Sequence, residues 1–341
     1  MIEKFEVKNM PTILDVAKRA GVSKTLVSRV INGQSGVGEQ NKENILAAIK
    51  ELGYKPNMLA RSLVLKQTNT IGILLDSLCV PFYFDFIKSV TQQGQALGYS
   101  MLFCAEDNDI NAKSRYMNHF TQGNADGIII YGSSVADTQI ISDLAKTEFP
   151  LVVVEHDIDQ VSTNKVLVDN VEGAKMAVNH LIDKGCKDIR HFMGDPYKKV
   201  YLDRLKGYED AMTEKGLSLN QDSIIYSQFT ERSGYENMMK LIKDNKVPEA
   251  IFCSGDVIAF GAIRALVENN YSIPKDIKIV GFDDDKPDSF DMVFPGLTTV
   301  RQPLEEIGKE AILMLEHIIK NRSKAHKKLT VMPELIIRET S

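Results

Sequence analysis

Residues Thr12 to Gly33 read T-I-L-D-V-A-K-R-A-G-V-S-K-T-L-V-S-R-V-I-N-G. Thr12 followed by Asp15 makes a capping-box pair that starts a helix at Ile13. The helix runs to about Ala20 and stops at Gly21, which takes a positive φ at no steric cost. Ser23 caps a second helix, Lys24 to about Ile31, which ends at Asn32-Gly33. Two helices joined by Ala20-Gly21-Val22 form a helix-turn-helix candidate. At about 100° per residue, Lys24, Thr25, Ser28 and Arg29 fall on one side of the second helix. Leu26, Val27 and Val30 fall around the other, with Val16, Ala17, Val22 and Ile45 available to pack on them. The polar side suits a DNA major groove. An arginine forks onto guanine O6 and N7, and a threonine meets a polar edge or a thymine methyl. A small helical bundle with a solvated basic face would show the same wheel, because this geometry is common.

Working outward, a third helix is expected from about Glu39 to Leu52, with Ile45, Ala48, Ile49 and Leu52 at helical spacing and Gly53 as its stop. Pro56 ends this unit, since the residue before a proline avoids the α region. Asn57 caps a further short helix, Met58 to about Val64, and the polar run Lys66-Gln67-Thr68-Asn69 leads out of it. From Thr70 the texture changes. Strand-like runs at Ile71–Leu75, Ser100–Cys104, Gly127–Tyr131, Leu151–Val154, Lys165–Val168, Ile189–Met193, Ala250–Cys253 and Ile277–Phe282 alternate with helical stretches. Among those helices are Phe86–Leu97, Gly173–Asp183, Arg204–Glu214 and Ala259–Asn269. Alternation of this kind predicts parallel, doubly wound sheets covered on both faces. About nine strands exceed one comfortable sheet, so two similar α/β lobes facing a cleft are expected.

Length and composition fit that plan. The 341 residues suit two or three domains, and 43% hydrophobic with 26% charged residues is a globular mix rather than a disordered one. No apolar run reaches the roughly 18 residues of a membrane span. Met1 to Met10 carries no apolar core or cleavage site of a secretory signal. Cys79, Cys104, Cys186 and Cys253 lie far apart without a C-x-x-C pair, which argues against zinc ribbons and a disulfide framework. A cytoplasmic location follows as an expectation. The net charge of −5 hides an asymmetry: residues 1–68 hold eleven Lys/Arg against six Asp/Glu, and the remainder holds 30 against 40. A basic head on an acidic body predicts that the head meets a polyanion.

The Thr12–Gly33 stretch resembles the head of the lactose/galactose repressor (LacI/GalR) family, and so does A-I-K-E-L-G-Y-K-P-N-M-L-A-R-S-L (Ala48–Leu63). The resemblance continues through I-G-I-L-L (Ile71–Leu75), A-D-G-I-I-I (Ala125–Ile130), I-V-G-F-D (Ile279–Asp283) and L-T-T-V-R-Q-P (Leu297–Pro303). It implies a small all-α helix-turn-helix head (11–55), a hinge helix and linker (56–68), and a periplasmic-binding-protein-like body (69–341). Lobe one would then be about 70–169 plus 299–329, and lobe two about 170–298 plus 330–341. The family's base-reading positions fall on Lys24, Thr25 and Arg29, although Lys24 departs from the smaller or aromatic residues often found there. Ser23, Ser28, Asn32 and Tyr54 become candidates for phosphate contacts that set register. Leu63 matches a wedge leucine that unstacks a central minor-groove step, with Asn57, Ala60 and Arg61 as further DNA contacts. A helix of about seven residues is marginal alone, so this hinge should order on DNA.

For the body, the resemblance implies a small-molecule effector in the cleft: a sugar, sugar acid or sugar phosphate. Phe82 and Tyr83, Asp169, Arg204, Phe229, Asp256 and Asp283 fall on its ligand positions. Several of them stand at strand ends, where open α/β sheets bind ligands. Lys198 and Lys199 lie just upstream of Arg204; one of them facing inward would favour an acidic or phosphorylated ligand. No cofactor is expected. An enzyme is a rival class, but the chain lacks a G-x-G-x-x-G after a strand, a P-loop and a G-x-S-x-G. Asp283-Asp284-Asp285 reads as a turn rather than a metal site. A sugar-binding protein without a DNA role is a third class, opposed by the intact head motif. The expected function is a ligand-responsive transcriptional regulator, a repressor of carbohydrate genes, on a pseudo-palindromic operator. The alternative is a regulator that needs a co-effector, small molecule or protein, to grip DNA. The C-terminal I-I-R-E-T-S adds no heptad helix, so a homodimer is expected.

Overall fold

The computed structural model describes residues 11–55, 67–106, 109–132, 134–157, 162–219, 222–285, 296–323 and 325–341. The chain divides into two compact units, Met1–Thr68 and Asn69–Ser341. The hinge positions Asn57, Ala60, Arg61 and Leu63 lie outside the described residues.

The first unit holds helices α1 (Ile13–Ala20), α2 (Lys24–Ile31) and α3 (Glu39–Leu52). The capping box at Thr12 forms in full, with both its Oγ1 and its N–H bonded to Asp15. Gly21 closes α1 in the left-handed region at φ 68°. Val16, Ala17, Val27, Ile45 and Ala48 form the buried core, and Tyr54 packs on it half-buried. Arg19 and Glu51 tie α1 to α3 at 2.6 Å on the surface, a pair worth little in water.

The second unit contains two parallel sheets. The first is built from β1 (Thr70–Leu75), β2 (Ser100–Ala105), β3 (Gly127–Tyr131), β4 (Leu151–Val154), β5 (Asn164–Val168) and a late strand, Lys328–Val331. Across the sheet the order is Lys328–Val331, then β5, β4, β3, β1 and β2. Every residue of β3 and β4 is buried, as expected for central strands covered on both faces. Helices α4 (Phe84–Ala96), α5 (Ile110–His119) and α6 (Thr138–Lys146) connect these strands.

The chain then crosses into α7 (Asn170–Asp183), β6 (Ile189–Met193), α8 (Lys199–Glu214), β7 (Ile224–Tyr226), α9 (Glu231–Lys243), β8 (Ala250–Cys253), α10 (Asp256–Glu268) and β9 (Lys278–Val280). These strands form the second sheet, ordered β7-β6-β8-β9. It returns through β10 (Thr299–Arg301) to α11 (Leu304–Asn321), which lies against α4 and the first sheet. Leu304, Ile307, Ala311, Ile312, Leu315 and Ile318 recur at helical spacing and are all buried. Each large side chain removed from water in this way contributes about 1.5–3 kcal/mol. Lys328–Val331 is β11, and Glu334–Ile336 is β12, which pairs antiparallel with β10.

Several boundaries differ from expectation: the helices expected from Phe86, Gly173, Arg204 and Ala259 begin at Phe84, Asn170, Lys199 and Asp256. Val331 still pairs with Val168 in the first sheet, so the last crossing comes two residues after 329. The strand expected over Ile277–Phe282 spans only Lys278–Val280. Beyond Val280 the chain pairs with the returning segment instead: Gly281 N donates to the Thr298 carbonyl and Asp283 N to the Val300 carbonyl, and Asp283 and Asp284 take left-handed φ values of 110° and 57°.

Candidate functional site

On α2 the side chains of Lys24, Thr25 and Arg29 are exposed, while Val27 is fully buried beneath them. Packing of Val27 against α1 and α3 therefore fixes which face α2 presents. Ser23 caps the helix by accepting from Leu26 N at 3.3 Å, which leaves its O–H free to donate. Asn32 Nδ2 donates to Ser28 Oγ at 3.3 Å, and Asn32 Oδ1 has no partner. Exposed cations flanked by hydroxyl and amide groups suit a nucleic acid groove.

In the second unit, a cavity of about 870 Å³ lies between the two sheets. Parallel strands deliver their carboxyl ends to it: Asp76 follows β1, Tyr131 ends β3, and Glu155 follows β4. One wall is aromatic. Phe82 and Tyr83 meet edge-to-face at 5.2 Å, and Tyr83 meets Tyr131 likewise at 5.2 Å. The facing wall holds Tyr201 and Phe229, 5.5 Å apart. The Tyr131 hydroxyl and Gln302 Oε1 are buried without a hydrogen-bond partner. Such orphaned atoms are costly unless a ligand or water satisfies them. Ser134 stands at the rim, its N–H held by Asp137 Oδ2 at 2.7 Å. That carboxylate is in turn fixed by the buried Lys113 ammonium, which also pairs with Glu106.

Arg204 anchors the floor. Its Nε donates to Asn170 Oδ1 at 2.9 Å, and Nη1 donates to the Ser254 carbonyl at 2.5 Å. Its guanidinium lies 3.7 Å from the centre of the Phe282 ring. Asp283 pairs with Arg204 at 3.1 Å and accepts from Gln302 Nε2 at 2.7 Å. Burial still raises its carboxyl to about 6, against the pull of Arg204. Burial likewise raises Glu155 to about 7, although Val168 N and Asn170 Nδ2 donate to it.

The helix-turn-helix portion, residues 12–57, matches a model of bacterial regulatory proteins of the lacI family, and residues 178–341 match a periplasmic binding protein-like domain. Over 333 residues the chain is 36% identical to the HTH-type transcriptional regulator RegA of Clostridium saccharobutylicum, covering 97% of this chain and 99% of that protein. The chain belongs to the lacI family of bacterial regulatory proteins. It is 34% identical over 331 residues to the HTH-type transcriptional repressor PurR of Histophilus somni, with 97% and 99% covered. Among solved structures it resembles the Lac repressor dimer bound to operator and the anti-inducer ONPF, at TM-score 0.85, 25% identity and coverage of 97% and 98%. It also resembles the regulator CelR in complex with cellobiose, at TM-score 0.73, 26% identity and coverage of 97% and 100%. The family is one of regulators, so the enzyme class is set aside. Among the described residues no helix is long and apolar enough to cross a membrane.

Of the cleft residues expected from the sequence, Phe82, Tyr83, Lys198, Arg204, Phe229 and Asp283 line the large cavity. Asp169 and Asp256 do not. Asp169 caps α7 by accepting from Glu172 N, and it faces a separate hollow of about 230 Å³. Asp256 is fully buried beneath the site, accepting from Thr299 Oγ1 at 2.6 Å and from Asp285 N at 2.8 Å. Both stand at helix starts, where a carboxylate satisfies free N–H groups or neighbouring loops instead of reaching outward. Lys199 pairs with Asp203 and lines the smaller hollow. The sequence reading missed Asp76, Tyr131, Glu155, Tyr201 and Gln302. For Asp76, Tyr131 and Glu155 a signal was present: each stands at or one step past the carboxyl end of an apolar strand.

Proposed function

We propose that this chain is a homodimeric transcriptional repressor in the cytoplasm that binds a pseudo-palindromic operator and is switched by a sugar-like effector in the interlobe cleft. The observation that carries the effector half is the cleft itself. Two aromatic walls face each other across carboxylates and two buried, unpartnered polar atoms. Aromatic faces suit the apolar side of a sugar ring, and the fixed polar atoms suit its hydroxyls. The cellobiose complex of CelR supports the same use of the fold.

For the head, Lys24, Thr25 and Arg29 are proposed to read bases, with Ser23, Ser28, Asn32 and Tyr54 contacting phosphates. The operator complex of the Lac repressor dimer supports this assignment and the two-fold arrangement. The test is a thermal-shift screen with neutral sugars, sugar acids and sugar phosphates. A true effector at 100 times its Kd stabilises the body by about 2.7 kcal/mol. A compound that does so must also change the protein's affinity for a duplex that it selects from a randomised palindromic pool. No stabilising compound across all three classes contradicts the effector half.

A further inference from the structure

We propose that Asp76 is a specificity residue: by occupying Lys198 it closes the cleft to anionic ligands, so the effector is an uncharged, polyhydroxylated molecule. The proposal rests on reading the cleft as an effector site and narrows what that site takes.

The charges lining the cavity are unbalanced. Asp76, Asp195 and Asp283, beside a Glu155 carboxyl that burial keeps partly protonated, face Lys198 and Arg204, the only lining cations among the described residues. Arg204 is already spent on Asp283, Asn170 and the Ser254 carbonyl, and its face is covered by Phe282. Lys198 is therefore the cation that an entering phosphate or carboxylate would seek.

Lys198 is not free. Its Nζ stands 2.5 Å from Asp76 Oδ2, with the two side chains 21% and 13% exposed. The partners come from opposite lobes, Asp76 from the end of β1 and Lys198 from the start of α8. Beside them Val135 N donates to the Tyr197 carbonyl at 2.9 Å, a second tie across the cleft mouth. An anion that took Lys198 would strand the half-buried Asp76 carboxylate without its partner. An anion that left the pair intact would sit among carboxylates of its own sign. A neutral polyol meets neither cost. Its hydroxyls donate to the carboxylates and to Gln302 Oε1, and its ring lies on the aromatic walls.

Isothermal titration of the full-length protein with inorganic phosphate tests this charge filter without the effector in hand. Wild type should show no saturable binding at millimolar phosphate. Asp76→Asn should bind phosphate at least tenfold more tightly, and Asp76→Ser should do the same if the amide variant folds poorly. The gain should vanish in the double variant Asp76→Asn/Lys198→Gln, which separates the cleft from any phosphate held by the basic head. Wild-type binding as tight as the variants', no gain in a folded Asp76 variant, or a gain that survives loss of Lys198 each overturns the proposal. The effector reading fails on different grounds, namely when no compound of any charge class stabilises the body.

Discussion

Arg204 Nη1 stands 3.1 Å from Asp283 Oδ1, with both side chains less than a tenth exposed. The pair joins the start of α8 to the turn after β9. Through Asn170 and the Ser254 carbonyl it also reaches α7 and the end of β8. One arginine thus holds four segments that shape the cleft floor.

Arg204→Ala should leave Asp283 buried and unpaired. Breaking a buried pair from one side costs about 3–5 kcal/mol. Calorimetry should show the body's melting transition falling by that amount, with ligand response lost and the head's melting unchanged. An unaltered body transition would mean that Asp283 finds water or another partner in the variant.

Glu155 carries a carboxyl raised from 4.5 to about 7 by burial. The folded state therefore holds this proton more tightly than the unfolded state. The stabilising contribution is complete below about pH 4.5 and is lost as pH rises through about 7. Glu155→Gln removes the ionisation. The stability of the variant relative to wild type should rise by about 3 kcal/mol between pH 4.5 and pH 8. Parallel denaturant curves at the two pH values, giving a constant difference, would contradict the buried protonation.

Arg29→Ala should weaken operator binding by about 1–3 kcal/mol and relax base choice at one position of each half-site. Val27, not Arg29, carries the packing of α2, so head stability should hold. Equal losses on operator and random DNA, measured by anisotropy, would assign Arg29 to phosphate alone.

Leu63→Ala should reduce specific binding more than non-specific binding, because a wedge acts only where a central step can be unstacked. Salt dependence should change little, since no phosphate contact is removed. Energy transfer between duplex ends should report less bending. Full bending by the variant would make Leu63 a linker residue.

The head was legible almost to the residue. α1 runs between the caps that Thr12 and Gly21 announce, α2 starts at the Ser23 cap and α3 stops at Gly53, because capping is a local interaction. Fully buried strands such as β3 and β4 were equally legible from their apolar runs. β7, β10, β11 and β12 were not. Each has three or four residues and owes its pairing to a partner distant in sequence, as Thr299–Arg301 does to Glu334–Ile336 and Lys328–Val331 to β5. In the cleft, residue type did not settle direction. Asp256 and Asp283 are both acidic and near strand ends, yet one lies under the floor and the other on it. Partners distant in sequence make that difference, Thr299 for Asp256 and Arg204 with Gln302 for Asp283, and no periodicity in the chain encodes them.

The cleft and the head should act as one switch. Anisotropy of a labelled duplex, selected by the protein from a randomised palindromic pool, measures it directly when titrated with and without the compound that most stabilises the body. A coupling of 1–3 kcal/mol, roughly a 5–150-fold change in DNA affinity, is predicted for wild type and should be absent in Arg204→Ala. A compound that binds the cleft tightly yet leaves wild-type DNA affinity unchanged would contradict the claim.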